Sequence, residues 1–271
     1  MKKKLVFAFS VFENCIDNRA IKIHLESLRY YKYVFDEALF VFMGEREYAI
    51  PVIEKLLGFG FKDIQFKFRE IDNLWESGVL YDEIVNTDKC DDKLVFFGHT
   101  KGVTNYNRFD NWLNFDRWIT GMYFFNLEFN KEVTKALTTF EFSETFGVYI
   151  TNLSKEGMLA NNANAIYAGT FYWLNIGKIK SHCKKMPPLY NRWYAELFPG
   201  NVVLDNSYMC RYSDIVVKDI INKKGYYDGI IEYFNTIMST VKKNNDSNEI
   251  IELYNKYISN IDINIEKYDI E

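Results

Sequence analysis

The sequence predicts an α/β fold with a mostly parallel central sheet, and three observations lead to this prediction. Short apolar runs alternate with amphipathic segments through the first hundred residues. Strands that alternate with helices in this way form parallel sheets covered by helices on both faces. The chain has 271 residues, enough for one large core. Residues 216–271 are rich in Lys, Asn and Glu with a helical pattern. We therefore expect a main domain at 1–215 and a helical C-terminal appendage at 216–271.

The N-terminal third contains four predicted strands and three predicted helices. The strands are Leu5–Phe12, Ala38–Met43, Asp63–Phe68 and Lys93–Phe97, and the helices are 18–33, Tyr48–Leu57 and Leu74–Val85. Pro51 lies near the start of the second helix, where a missing amide is tolerated.

The pattern becomes more helical beyond residue 110. Helices are predicted at Trp112–Asn126, Lys131–Thr138 and Asn191–Leu197, strands at Phe146–Ile150 and Gly169–Leu174, and a loop at Asn161–Asn164.

Composition excludes several classes of function. The formal net charge is −4 and no long basic run occurs, so nucleic acid is not an expected partner. The four cysteines show no CxxC pairing, which favours free thiols in a reducing compartment. Lys2–Lys4 and the apolar run behind them imitate a signal peptide, but the run is short and Glu13 follows it. No stretch is long enough to cross a bilayer, and we expect a cytoplasmic protein.

The chemistry is expected beyond the carboxyl ends of the strands, because open parallel sheets bind ligands there. Four segments occupy such positions: Phe9–Asn14, Met43–Arg46, Arg69–Asn73 and Gly98–Gly102.

Gly98–Gly102 is the most informative of these segments. A glycine interrupts the predicted strand, and His99, Thr100, Lys101 and Gly102 follow. Lys101 supplies a point cation for a phosphate, and Gly102 lets backbone amides approach an anion closely. His99 is suited to a phosphate oxygen, a sugar hydroxyl or a metal. The alternative is a tight turn with solvated side chains.

Several segments, in this order along the chain, carry a family resemblance. They are Asn73–Glu76 (the weakest), His99–Gly102 (HTKG), Asp116–Trp118 with Met122–Phe124, Ala168–Trp173 (AGTFYW), and Arg192 with Ala195–Glu196. Together they resemble a family of bacterial and viral polysaccharide glycosyltransferases with an HTKG signature. The likeness spans roughly residues 3–205.

This resemblance implies a GT-A-like nucleotide-sugar-binding fold. It also implies transfer of a hexose or similar sugar from a UDP- or GDP-linked donor to a glycan acceptor. Thr170 and Tyr172 stand where the family has Asn and Trp, so a different sugar preference is expected. Mn²⁺ or Mg²⁺ is a candidate cofactor. However, no DxD motif ends a strand, and Asp91–Asp92 precede one. His99 and Lys101 would then replace the cation in part.

The predicted site combines the resemblance with the chemistry of the side chains. The predicted catalytic residues are Glu196, His99 and Lys101, and the predicted donor-binding residues are Phe9, Ser10, Glu76, Thr100, Gly102, Gly169, Tyr172, Trp173 and Arg192. Glu196 is the expected general base, and a surface ion pair with Arg192 is its alternative.

For some of these residues a structural role is the competing interpretation. Glu76 is more simply an exposed helical carboxylate. Tyr172 and Trp173 point to opposite faces if they lie in a strand, so one is expected in the core. Trp118 is expected in the core.

Two other functions stay open from the sequence alone. A phosphoryl- or nucleotidyl-transferring enzyme would use the same Lys and His on phosphate. A non-catalytic glycan-binding protein would need aromatic platforms but no basic cradle, so Lys101 counts against it.

Overall fold

The structure is a computed structural model that describes most of the N-terminal half and several later segments. The described residues are 1–100, 103, 112–139, 144–147, 150–152, 165–167, 169–183, 194–202 and 247–268. Among the described helices, none combines the length and the apolarity needed to cross a bilayer.

The described elements are numbered here in chain order. The strands are β1 Lys2–Ser10, β2 Glu37–Met43, β3 Ile64–Arg69, β4 Lys93–His99, β5 Thr145–Gly147, β6 Ile150–Asn152, β7 Ala165–Tyr167 and β8 Tyr172–Asn175. The helices are α1 Arg19–Tyr31, α2 Arg46–Phe59, α3 Trp75–Leu80, α4 Trp112–Leu127, α5 Asn130–Thr139, α6 Ile176–His182, α7 Tyr194–Val202 and α8 Ser247–Tyr268.

A six-stranded mixed sheet forms the centre of the fold. Its strand order is β3-β2-β1-β4-β8-β5, and β6 pairs with β7 in a separate ribbon. The first four strands are parallel, and β8 is antiparallel to both of its neighbours. The predicted α/β class with a mostly parallel sheet is therefore confirmed. The strand order reverses between β1 and β4, which is where ligands bind in open α/β sheets.

The two faces of the sheet are covered by different helices. Phe7 of β1 packs against His24 of α1 and Tyr123 of α4. The opposite face carries Tyr172 of β8, whose hydroxyl donates to the Ala195 carbonyl of α7 at 2.7 Å. Because side chains alternate along a strand, α1 and α4 cover one face and α7 covers the other.

The ends of two elements, β1 and α2, differ from the sequence prediction. β1 starts at Lys2, because its ladder with β4 begins there and Lys2 Nζ reaches Glu37 Oε1 at 3.1 Å. It ends at Ser10, not Phe12. Pro51 lies inside α2 and beyond its first turn. Only in the first turn does a missing amide cost no hydrogen bond within the helix.

Two predictions near the site also need correction. β4 continues through Gly98 to His99, because both residues stay in the ladder with β1, opposite Phe7 and Ala8. A side chain at 98 would crowd the rings of Phe7 and Phe171, which accounts for the glycine. The strand predicted at Gly169–Leu174 begins only at Tyr172, since Gly169 and Thr170 have positive φ angles.

Other predictions are refined in the second half of the chain. The segment predicted as one strand at Phe146–Ile150 contributes to two strands in different sheets. The sequence analysis missed α6 and β7. The loop predicted at Asn161–Asn164 lies outside the described residues.

The C-terminal helix α8 packs on the main body of the protein. Tyr254, Tyr257, Ile261 and Ile265 are buried in the same core as the sheet. The Tyr257 hydroxyl donates to Ser27 Oγ of α1 at 2.7 Å, and Tyr254 meets Thr120 of α4 at 3.0 Å. The predicted helical tail is thus found at 247–268, where it covers α1 and α4. The predicted boundary at 215/216 lies outside the described residues.

Candidate functional site

The carboxyl ends of β1 and β4 lie side by side and are held by Thr100. The Ser10 amide donates to Thr100 Oγ1 at 2.8 Å, and the Thr100 amide donates to the Ala8 carbonyl at 3.0 Å. These bonds fix the backbone at Thr100, which directly precedes Lys101 in the sequence. Ser10 and Thr100, both predicted donor-binding residues, therefore meet at the point where the strand order reverses.

His99 lies beside Glu76 at the same edge. His99 Nδ1 is 3.9 Å from Glu76 Oε1, and only 7% of His99 and 6% of Glu76 are exposed. The interpretation of Glu76 as an exposed helical carboxylate is therefore wrong. A buried carboxylate beside an imidazole orients the ring.

A turn at Gly169 joins three of the resembling segments. The Gly169 amide donates to Glu196 Oε1 of α7 at 3.4 Å. A side chain at 169 would collide with Met122 Sδ and touch the Trp118 ring of α4. Trp118 is buried, in agreement with its predicted place in the core. Segments far apart in sequence thus meet around one glycine.

Helices α3 and α7 are linked next to this turn. The Ala195 amide donates to Ser77 Oγ at 2.9 Å in a buried contact. Glu76 and Glu196 are the direct sequence neighbours of these two residues. The link therefore ties the carboxylate beside His99 to the helix whose carboxylate binds Gly169.

Backbone strain collects at this edge of the sheet. Three non-glycine residues have positive φ within the described ranges: Asn14 (56°), Trp75 (46°) and Thr170 (60°). Asn14 follows β1, Trp75 begins α3 after β3, and Thr170 precedes β8, whose Tyr172 pairs with Phe97 of β4. Residues in such conformations cluster at functional sites, where the surrounding structure holds them.

Thr170 is the most unusual of the three, because its side chain is β-branched and fully buried. Its hydroxyl has no hydrogen-bond partner among the described residues. Asn tolerates a left-handed backbone better than Thr does. We expect Thr170→Asn to raise the free energy of unfolding by about 1 kcal/mol, measured by chemical denaturation.

The control for this prediction is Thr138→Asn on α5, which makes the same chemical change in helical backbone. We expect no stabilisation there. A Thr170→Asn protein no more stable than the wild type would show that packing of the threonine outweighs its strain.

Three aromatic residues predicted to bind the donor lie in the core. Phe9, Tyr172 and Trp173 are fully buried. Phe9 packs on Phe42, and the Trp173 indole N–H donates to the Asn126 carbonyl at 2.9 Å. In this structure none of the three rings presents a face for stacking. The sequence predicts that one of Tyr172 and Trp173 lies in the core, and in the structure both do.

Asp116, within the segment that resembles the family's tryptophan helix, has a structural partner. Its Oδ2 accepts from Arg19 Nε at 2.7 Å. Burial raises the pKa of this carboxyl, and the Arg19 guanidinium acts in the opposite direction. The pair ties α4, which carries Trp118, to the start of α1.

Three predicted site residues, Lys101, Gly102 and Arg192, lie outside the described residues. Metal binding was also predicted as a candidate property. Within the described ranges, no group of three or more His, Cys, Asp or Glu side chains is arranged to hold an ion. The described residues do not supply a complete metal site, so no step proposed below passes through one.

Comparison with known proteins adds no family assignment. Neither protein-family models nor curated protein sequences match this chain. The glycosyltransferase resemblance therefore rests on the sequence motifs alone.

The sequence analysis missed three features of the site: Ser77, the strain at Thr170 and the burial of Glu76. A Ser on a short helix carries no pattern that identifies a distant amide as its partner. Glu76 had one available signal, because Val79 and Leu80 on the same short helix are apolar and buried.

Proposed function

We propose that this protein is a GT-A-like glycosyltransferase that moves a sugar from a UDP- or GDP-linked donor to a glycan acceptor. The reaction would take place at the carboxyl edge of β1 and β4. We infer a cytoplasmic enzyme, since Cys15 and Cys90 are free thiols, as is usual in reducing compartments.

One observation supports this proposal most strongly: segments that resemble the glycosyltransferase motifs converge. His99 of the HTKG segment, the Gly169 turn, and Glu196 lie around the same edge of the sheet, with Met122 beneath the turn. A resemblance made of scattered matches would have no reason to assemble where the strand order reverses.

The proposed roles follow from charge and position. Lys101 follows Thr100 at the end of β4, where a cation would stabilise the charge that develops on the leaving diphosphate. The Gly169–Thr170 turn and Glu196 would shape the sugar pocket. The acceptor hydroxyl needs a general base, and Glu196 is the candidate that the sequence predicts.

A thermal-shift screen tests the proposed function. We expect UDP or GDP to raise the melting temperature and ATP to do little. A ligand bound only by the folded state stabilises it by about 2.7 kcal/mol at a hundred times its Kd. The screen is run with and without Mn²⁺.

The outcome also separates the proposed function from its main rival. Strong stabilisation by ATP, accompanied by its hydrolysis, would identify a phosphoryl-transferring enzyme instead. Stabilisation by glycans alone would identify a binding protein.

A further inference from the structure

We infer that His99 is the general base of the transfer and that Glu76 is its positioning residue. The inference rests on the proposed function and changes the assignment of the base, which the sequence gives to Glu196. It follows from the placement of Glu76 beside the imidazole and of Glu196 at the Gly169 amide.

The first step concerns the pair itself. His99 Nδ1 faces Glu76 Oε1 at 3.9 Å, so an approach of about 1 Å gives a hydrogen bond. Catalytic hydrogen bonds are often long in the absence of substrate and shorten in the complex. With Nδ1–H directed at Glu76, the Nε2 lone pair is the basic position of the ring. Nε2 is buried in the structure, so the ring has to become accessible when the acceptor binds.

The second step compares His99 with Glu196. Histidine is the side chain that most often acts as a general base in enzymes. Glu196 accepts the Gly169 amide at 3.4 Å, which gives it a role in holding the turn.

The third step is the location of the pair. Glu76 lies in the first turn of α3, next to the strained Trp75 (φ 46°), and His99 ends β4 directly before the segment proposed to bind diphosphate. A base in this position lies next to the donor and at the strand-order reversal.

The proposed step balances as a single displacement. The acceptor oxygen forms a bond to the anomeric carbon while its proton passes to His99 Nε2. The bond from the anomeric carbon to the diphosphate oxygen breaks, and its electron pair leaves with the nucleoside diphosphate. His99 then returns the proton to solvent.

The matched control is a second His–Glu pair, in which Glu144 is buried and His182 is partly exposed. His182 Nε2 lies 2.6 Å from Glu144 Oε1. Glu144 adjoins β5 and its carbonyl accepts the Asn175 amide; Asn175 pairs with Leu94 at the start of β4. This pair therefore sits at the opposite edge of the sheet, where no transfer is proposed.

The experiment measures release of nucleoside diphosphate from a panel of UDP- and GDP-sugars with a supplied glycan acceptor. We expect His99→Ala to lower turnover at least about a hundredfold and Glu76→Gln at least about tenfold, with Glu144→Gln near the wild type. Azide is anionic and attacks without losing a proton. It should therefore restore diphosphate release by His99→Ala, with a glycosyl azide as product.

Selective ¹⁵N labelling tests the pair without relying on activity. The chain has three histidines, so the signals of each ring are assigned by their disappearance when that histidine is substituted. We expect the neutral His99 ring to carry its proton on Nδ1, and Glu76→Gln to change this tautomer balance. Glu144→Gln should leave it unchanged.

The results that overturn the inference differ from those that overturn the proposed function. Only the assignment of the base would be overturned if azide restored diphosphate release by Glu196→Gln and not by His99→Ala. The same would hold if the neutral His99 ring carried its proton on Nε2. No diphosphate release by the wild type from any donor would overturn both the proposed function and the inference.

Discussion

Gly169→Ala is expected to lower turnover at least about a hundredfold. Gly169 has a φ of +101°, a conformation that L side chains rarely adopt, and a Cβ would collide with Met122 Sδ. Relief of this collision requires the turn to move away from α4. A displacement of about 1 Å at a reacting centre is enough for a hundredfold loss.

The same substitution should also cost about 1–3 kcal/mol of stability, because the backbone is strained. Diphosphate release is therefore measured well below the melting temperature of the variant. Gly58→Ala is the control, since a Cβ at that position on α2 meets nothing within 4 Å. Turnover by Gly169→Ala at the wild-type rate would show that the turn is not part of the active site.

The class of the fold was predictable because its signals are local. Alternation of apolar runs with helical patterns correctly gave the four parallel strands and most of the helices. The ends of the strands were less predictable. Gly98 is part of β4 because it pairs with β1, and its missing side chain leaves room for the rings of Phe7 and Phe171. The sequence around Gly98 does not show these contacts with residues far away along the chain.

The candidate site was predictable only as a set of segments. The motifs placed His99, Gly169 and Glu196 in the site, and the structure brings their segments to one edge of the sheet. The pairing of His99 with Glu76 could not be predicted. It depends on how the helix after β3 returns across the sheet, and the two residues are more than twenty positions apart.

The aromatic motif also shows that a sequence motif does not reveal which of its side chains are buried. Tyr172 and Trp173 resemble a functional motif, yet both rings are in the core. Their side chains secure β8 against α7 and α4 through the Ala195 and Asn126 carbonyls. A motif can therefore mark the scaffold of a site as well as its contact surface.

Lys101→Ala is expected to weaken nucleoside diphosphate binding at least about tenfold, or roughly 1.4 kcal/mol. Lys101 follows Thr100, whose hydroxyl and amide fix the ends of β1 and β4. Loss of its charge leaves part of the diphosphate charge without a counterion. The melting temperature should change little. Lys62→Ala is the control, because Lys62 is exposed and forms an ion pair with Asp36 at 3.7 Å.

Calorimetric titration of the wild type, Lys101→Ala and Lys62→Ala with UDP and GDP tests whether a nucleoside diphosphate binds where β1 and β4 end. We expect one of the two ligands to bind the wild type and Lys62→Ala equally, and to bind Lys101→Ala at least about tenfold more weakly. No binding of either diphosphate to the wild type, or equal binding to all three proteins, would contradict binding at this site.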